Sequence, residues 1–327
     1  MIRFVTGATA FALSIQMAHA DQIELSLLPE LVGYEGEVET NTDGIPIFRL
    51  CTGSRGFDYN RIAHVIAASA DPDIVDVEVI NIGGSWSQLG ALSDNRCDGA
   101  IIQRDAGVVA SQIGAGISEL ILQGAELHPE FFISVCTRDG SANEFSDMQG
   151  RDDTVVIVGS VDADGFTGSG TAVTIRGFQA EDRGYTRPTF RYAENLMMAA
   201  RMIAGGQGDC LAMTSGLGSQ AWAEMDARYG EQLRIVEADD GDFNDTRDLG
   251  GDRLYEFMDI PGSTETLSNL LVWREGRSPT DRQTVMMRAV YVSRLDYPAQ
   301  EAADEVGFAA ERAAVDFDLK NYGLRQQ

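Results

Sequence analysis

With 51 acidic against 25 basic side chains over 327 residues, the chain carries a formal net charge of −26. That field repels nucleic acid and anionic membrane surfaces, which argues against both as partners. Cationic ligands fit such a charge in principle, but a diffuse acidic surface serves solubility first. The length exceeds what one hydrophobic core usually organises, so two lobes are the expectation.

Residues 1–20 pair a basic start at Arg3 with an apolar run through Phe11 and Leu13, then end in Ala18-His19-Ala20. This is the grammar of a secretory signal, with cleavage expected between Ala20 and Asp21. No later stretch approaches the roughly 18 consecutive apolar residues of a membrane span, so no direct membrane insertion is expected after cleavage. The four cysteines, Cys51, Cys97, Cys136 and Cys210, all follow this segment, and export places them where disulfides persist. Three pairings are open, and free buried thiols are the alternative. If two lobes exist, Cys51 with Cys97 and Cys136 with Cys210 confines each bridge to one lobe and leaves the lobes free to move. No C-x-x-C spacing supports a redox or zinc role.

Residues 21–44 are acidic with little period and read as an extended arm, packed over a cleft or loosely ordered. Ile45 to Leu50 gives a first strand, and Tyr59 to Ala68 a helix whose Ile62, Ala63, Val65 and Ile66 face a core. Asp71-Pro72-Asp73 breaks it. "VDVEVINI" from Val75 alternates as a strand, a short helix follows from Trp86 to about Ser93, and "AIIQ" forms a third strand ending at Gln103. Repeated β-then-α units predict a parallel sheet with helices on both faces. Between Ser118 and Cys136 a strand-rich passage, broken at His128-Pro129, marks the crossing to a second lobe.

The second lobe restarts the pattern. "TVVIVGS" from Thr154 is a strand, and Thr167 to Thr171 heads a helix carrying Val173, Ile175 and Phe178. A strand or turn follows Arg187, a helix runs from Glu194 to Ala204, a strand spans Cys210 to Met213, and a helix runs from Ala221 to Tyr229 before the strand "LRIVEA". The acidic run 237–248 lacks the glycine and glutamate positions of a calcium loop and reads as solvated. "LSNLLVWREG" from Leu267 reads as a return strand, and helices are expected after Pro279 and after Pro298. The predicted organisation is an arm at 21–44, the first lobe at 45–125, the second at 126–264, and a return to the first at 265–327.

Ligands in such sheets sit beyond the carboxyl ends of the strands. The exits offer Thr52, Gly53, Ser54, Arg55 and Tyr59 in the first lobe, then Gly84 and Ser85, then Gln103. In the second lobe they offer Gly168, Ser169, Gly170 and Thr171 at a helix start, and Thr214 and Ser215 after a strand. Glycine and hydroxyl turns at helix N-termini suit a carboxylate or phosphate. Arg55 adds a bidentate partner for a carboxylate, while Tyr59 and Trp86 offer a shelf for an apolar ligand body. Catalytic signals are weak: His64 and His128 have no metal-ligand spacing, and no G-x-S-x-G elbow, P-loop or dinucleotide fingerprint is present. No catalytic residue, metal or cofactor is expected.

The order of these motifs resembles the TAXI receptors of TRAP transporters, a family of the periplasmic binding protein type II fold. "TGSRGFDYNRIAHVIA" is similar to the family's glycine turn and helix, keeping Thr52, Gly53, Gly56 and Tyr59. "NIGGSWSQLGAL" resembles its second strand exit, "DGAIIQRDA" its Gln-and-Asp strand, and "TGSGTAVTIRGF" its second-lobe helix start. "AENLMMAARMIAGGQGDCLAMTSG" is similar to its helix, glycine stop and ligand loop. The resemblance implies a periplasmic, two-lobed α/β receptor that captures a small organic anion, glutamate-like or a carboxylate, for the membrane subunits of a sodium-coupled TRAP transporter. Arg55, Phe57 and Asp58 depart from the family pattern, and Asp58 weighs against a dicarboxylate. The alternatives are an oxyanion or phosphate receptor of an ABC transporter and an exported enzyme using the same cleft.

Overall fold

A computed structural model describes residues 23, 25–35, 37–55, 57–159, 170–247, 251–274 and 276–321. The expected signal segment, with Ala20 and Asp21, lies outside the described residues, as do Gly168 and Ser169.

The first half alternates strand and helix: β1 (Ile47–Thr52), α1 (Asp58–Ser69), β2 (Asp76–Asn81), α2 (Ser85–Ser93), β3 (Gly99–Gln103) and α3 (Arg104–Gln112). β4 (Ile121–Thr137) then leads to β5 (Val155–Gly159), α4 (Gly170–Glu181), β6 (Thr189–Ala193), α5 (Leu196–Ala204), β7 (Cys210–Ser215), α6 (Gln220–Tyr229) and β8 (Leu233–Val236). The chain finishes with β9 (Glu256–Ile260), β10 (Arg282–Arg294) and α7 (Gln300–Asn321).

The strands join in one sheet in the order β2-β1-β3-β10-β4-β7-β5-β6, with β8 added to β4 and β9 to β10. β1 pairs in parallel with β2 and β3, and β5 in parallel with β6 and β7, so each end is a parallel β/α lobe. The two long strands β4 and β10 lie antiparallel between them and run through both. The architecture is thus mixed α/β and two-lobed, as the alternation of elements predicts.

Four apolar clusters fill the layers. On the first lobe, α1 and α7 cover one sheet face around Phe48, Ile62 and Val306, while α2 and α3 cover the other around Trp86, Leu89 and Val109. The second lobe is built likewise, with Phe132, Phe178 and Tyr185 on one face and Leu211, Trp222 and Met225 on the other. Each fully buried side chain of this size contributes about 1.5–3 kcal/mol. Val173 of α4 packs in a first-lobe cluster, and Val108 of α3 in a second-lobe cluster, so α3 and α4 lie against each other where the lobes meet.

Both disulfides stay within a lobe, Cys51 with Cys97 and Cys136 with Cys210. The second joins residues that face each other across β4 and β7.

Three expectations need correction. The segment from Leu267 is not a strand: Leu267, Leu270 and Leu271 pack in the second lobe, and the Asp226 carboxylate of α6 accepts from the backbone N–H groups of Asn269 and Leu270 at 2.9 and 2.7 Å. The return strand is β10, which the apolar run after Pro279 disguises as a helix. Its Thr284, Val285, Val290, Tyr291 and Val292 are the β-branched and aromatic residues that favour a strand buried on both faces. Nor is β4 broken at His128-Pro129. Pro129 lies opposite Arg288, beside a shift of register in the pairing with β10, and before β7 pairing begins at Phe131, so the missing N–H is tolerated there. Helix α3 and strand β9 were not anticipated.

The N-terminal arm does not cover a cleft. It runs along the first lobe, where Ser26 O accepts from Trp86 Nε1 at 2.8 Å and Val32 N–H donates to Ser93 O at 2.8 Å. Its Ile23 N–H donates to Gln179 Oε1 of α4 at 3.0 Å, so the arm ties both lobes.

Candidate functional site: the inter-lobe cleft

A cleft of about 710 Å³, its solvent-filled mouth included, opens where the strand ends of the two lobes face each other. The first lobe supplies Gly53 and Ser54 after β1, Asp58 and Tyr59 at the start of α1, Gly83, Gly84 and Ser85 between β2 and α2, and Gln103 at the end of β3. Across from these stand Gly159 after β5, Gly170 and Thr171 at the start of α4, Thr214, Ser215 and Gly216 at the end of β7, and Ser219, which caps α6. Glu130, from β4, lies on the wall between them.

The first-lobe wall is held by a chain of hydroxyls. Gln103 N–H donates to Ser85 Oγ at 2.9 Å, and Tyr59 Oη lies 3.5 Å from that same Oγ. Tyr59 donates to Glu130 Oε2 at 2.7 Å. Burial and the neighbouring Glu130 charge hold the Tyr59 phenol well above its ordinary range, so it stays a donor and the carboxylate is its acceptor. The other carboxylate oxygen of Glu130 faces His128 Nε2 at 3.8 Å. Gly83 has φ of 140°, which only glycine adopts without strain, and this turn delivers Gly84 and Ser85 to the N-terminus of α2.

On the second lobe, Thr171 Oγ1 accepts from the backbone N–H of Thr214 at 2.8 Å, which fixes the β7 exit to the start of α4. Ser215 Oγ accepts from Trp222 Nε1 at 2.6 Å. Gly170 touches the opposite wall: a Cβ there would fall 1.6 Å from Gln103 Oε1. Gln103 Nε2 donates to Met287 Sδ at 3.4 Å, while Oε1, although buried, has no hydrogen-bond partner, and neither has Thr214 Oγ1. Two acceptors beside the cleft are therefore buried without a donor, one of them pressed against Gly170.

Below the cleft, Asp105 of α3 accepts from Thr174 Oγ1 of α4 at 2.7 Å and from Tyr255 Oη at 3.0 Å. Complete burial pushes this carboxyl up to about 7 against the opposing pull of those two hydrogen bonds, and the Glu130 charge adds to the rise. A first-lobe carboxyl is thus clasped by two second-lobe hydroxyls.

Of the sequence-predicted residues, Gly53, Ser54, Tyr59, Gly84, Ser85, Gln103, Gly170, Thr171, Thr214 and Ser215 all border the cleft. Thr52 is fully buried one residue short of it, and Arg55 is exposed and not on its wall. Trp86 forms no shelf, being packed in the first-lobe core. Among the described residues no basic side chain lines the cleft. Glu130 was hidden in sequence because it follows the proline read as a break. Asp58 was visible as a departure from the family pattern, although its place on the wall was not.

No protein-family model matches the chain, and no curated protein matches it in sequence. Solved structures do match in fold. A structure from work on glutathione import via GshT and the cystine ABC importer TcyBC of Streptococcus mutans aligns with TM-score 0.50 at 9% identity, covering 85% of this chain and 95% of that one. The substrate-binding protein of an amino acid ABC transporter aligns with TM-score 0.47 at 10% identity, over 85% of this chain and 99% of the other. The likeness speaks for the two-lobed periplasmic binding protein fold.

Proposed function

We propose that this protein is an extracytoplasmic receptor that encloses one small polar solute between its lobes and presents it to the membrane subunits of an importer. The observation that carries this reading is the cleft itself: both lobes contribute strand ends and helix starts to one space, and β4 and β10 run from one lobe into the other. Two strands running side by side through both lobes form a hinge that can flex without breaking either core. A solute touching Ser85 and Gln103 on one side and Thr171 and Thr214 on the other favours the closed form over the open one, and that difference drives closure.

A binding role suits the chemistry better than catalysis does. The hydroxyls of Ser85, Thr171 and Ser215 are engaged with backbone or Trp222 groups, and no serine or cysteine paired with a histidine borders the cleft among the described residues. The motif order from Thr52 to Gly216 favours a TRAP transporter as the importer. The N–H groups at the starts of α2 and α4 suit an acceptor-bearing end of a solute, such as a carboxylate group.

A thermal-shift screen of amino acids, amines, dicarboxylates, keto acids and phosphate tests the reading. A receptor shows a concentration-dependent rise in melting temperature with one class, as mass action requires. Chemical turnover of that solute by the pure protein would refute a pure binding role. Recovery of the loaded protein with detergent-solubilised TRAP subunits, rather than with an ATPase-driven permease, would support the importer assignment.

A further inference from the structure

The charge of the cleft departs from the charge its turns alone suggest. Its ionisable wall residues are Asp58, Tyr59 and Glu130, with no arginine, lysine or histidine among the described ones. Asp58 is partly balanced, since Arg61 Nη1 donates to it at 3.1 Å from one turn along α1. Glu130 faces no arginine or lysine at ion-pair distance among the described residues: its side chain is 7% exposed, it accepts from Tyr59, and its other oxygen stands 3.8 Å from His128. A buried carboxylate on the wall of an accessible cleft is costly without a counter-charge. Gln103 and Thr214 line the same cleft, and their Oε1 and Oγ1 are buried without a partner.

On the receptor reading above, we propose that the solute is a net-positive, ammonium-bearing small molecule, and that Glu130 is its charge partner. An ammonium has three donors and no acceptor, which matches the acceptor-only carboxylate of Glu130 on the cleft wall. The N–H groups at the starts of α2 and α4 then face any acceptor oxygens at the solute's other end. A dianion would instead meet the Glu130 charge with no arginine or lysine on the cleft wall among the described residues to offset it, and like charges repel. The protein's overall charge of −26 acts in the same direction, concentrating cations at the surface and repelling dianions.

The test is titration calorimetry at pH 7 with four probes of matched length: cadaverine, lysine, glutamate and glutarate. Cadaverine or lysine is expected to bind at least about 100-fold more tightly than glutarate, with affinity falling as salt rises. Glu130→Gln, checked for folding by circular dichroism, is expected to weaken the cationic probe by about 10-fold or more, in the range of buried charge pairs. Gln103→Leu, which alters the same wall but leaves the charge untouched, is expected to weaken the cationic probe less than Glu130→Gln does. Tighter binding of glutarate or glutamate, or a cation affinity indifferent to both substitutions, would overturn the assignment while leaving a solute receptor standing. Failure of all four probes, together with a flat thermal-shift screen, would remove the receptor reading and this inference together.

Discussion

Glu130 and Asp105 show how differently two buried carboxyls behave in one molecule. Glu130 is held as an acceptor by Tyr59 on the cleft wall, whereas Asp105 is sealed below it and pushed up to about 7 by burial. An exposed aspartate titrates near 3.9, so between about pH 4 and 7 the folded chain keeps a proton that the unfolded chain releases. Its contribution to stability is therefore full below about pH 4 and is lost as pH rises through 7. Asp105→Asn can still accept from Thr174 and Tyr255 but carries no charge. Thermal melts should show this variant gaining on the wild type from pH 5 to pH 8; a constant gap would contradict the assigned shift. Gly170 tests the contact between walls. An alanine there collides with the Gln103 amide and, since that amide is the far end of a flexible side chain, the expected result in calorimetry is a loss of solute affinity exceeding the loss of stability.

At the scale of elements, the sequence placed most of the parallel lobes because their signals are local. Helix α1 begins after a glycine turn and carries its core residues at helical spacing, and β2 alternates. β4 and β10 were misread because their signals are not local. Each is buried on both faces for much of its length, so neither shows period two, and one contains a proline that only a register shift and an unpaired neighbour edge make tolerable. The site was legible where it follows strand exits, from Gly53 to Ser215, and illegible at Glu130, which reaches the cleft only because β4 is continuous. The segment after Leu267 stays on the second lobe because Asp226 anchors it. Asp226→Ala leaves the backbone N–H groups of Asn269 and Leu270 without their acceptor, and chemical denaturation should register a loss of about 1–3 kcal/mol.

For the whole molecule, the disulfides are confined within lobes while hydrogen bonds and packing, such as the Asp105–Thr174 contact and the α3–α4 seam, join the two. The Cys51–Cys97 and Cys136–Cys210 bridges close loops of 46 and 74 residues in sequence separation, and each is expected to stabilise its lobe by about 2–5 kcal/mol without linking the two. Paired Cys-to-Ala variants should therefore lower the melting temperature but leave solute affinity within about 3-fold, since the cleft is shaped by strand ends and not by the bridges. The acidic group of Asp182, Asp240 and Asp242 sits away from the cleft, so the account assigns it no part in solute capture.

The central claim, that one solute is held by both lobes at once, is tested most directly by titrating the solute found in the screen against the wild type, Ser85→Phe on the first-lobe wall and Gly170→Ala on the second. One site per chain is expected, with a loss of affinity of about 10-fold or more from each substitution. Binding that survives either change at wild-type strength, or more than one equivalent site per chain, would contradict it.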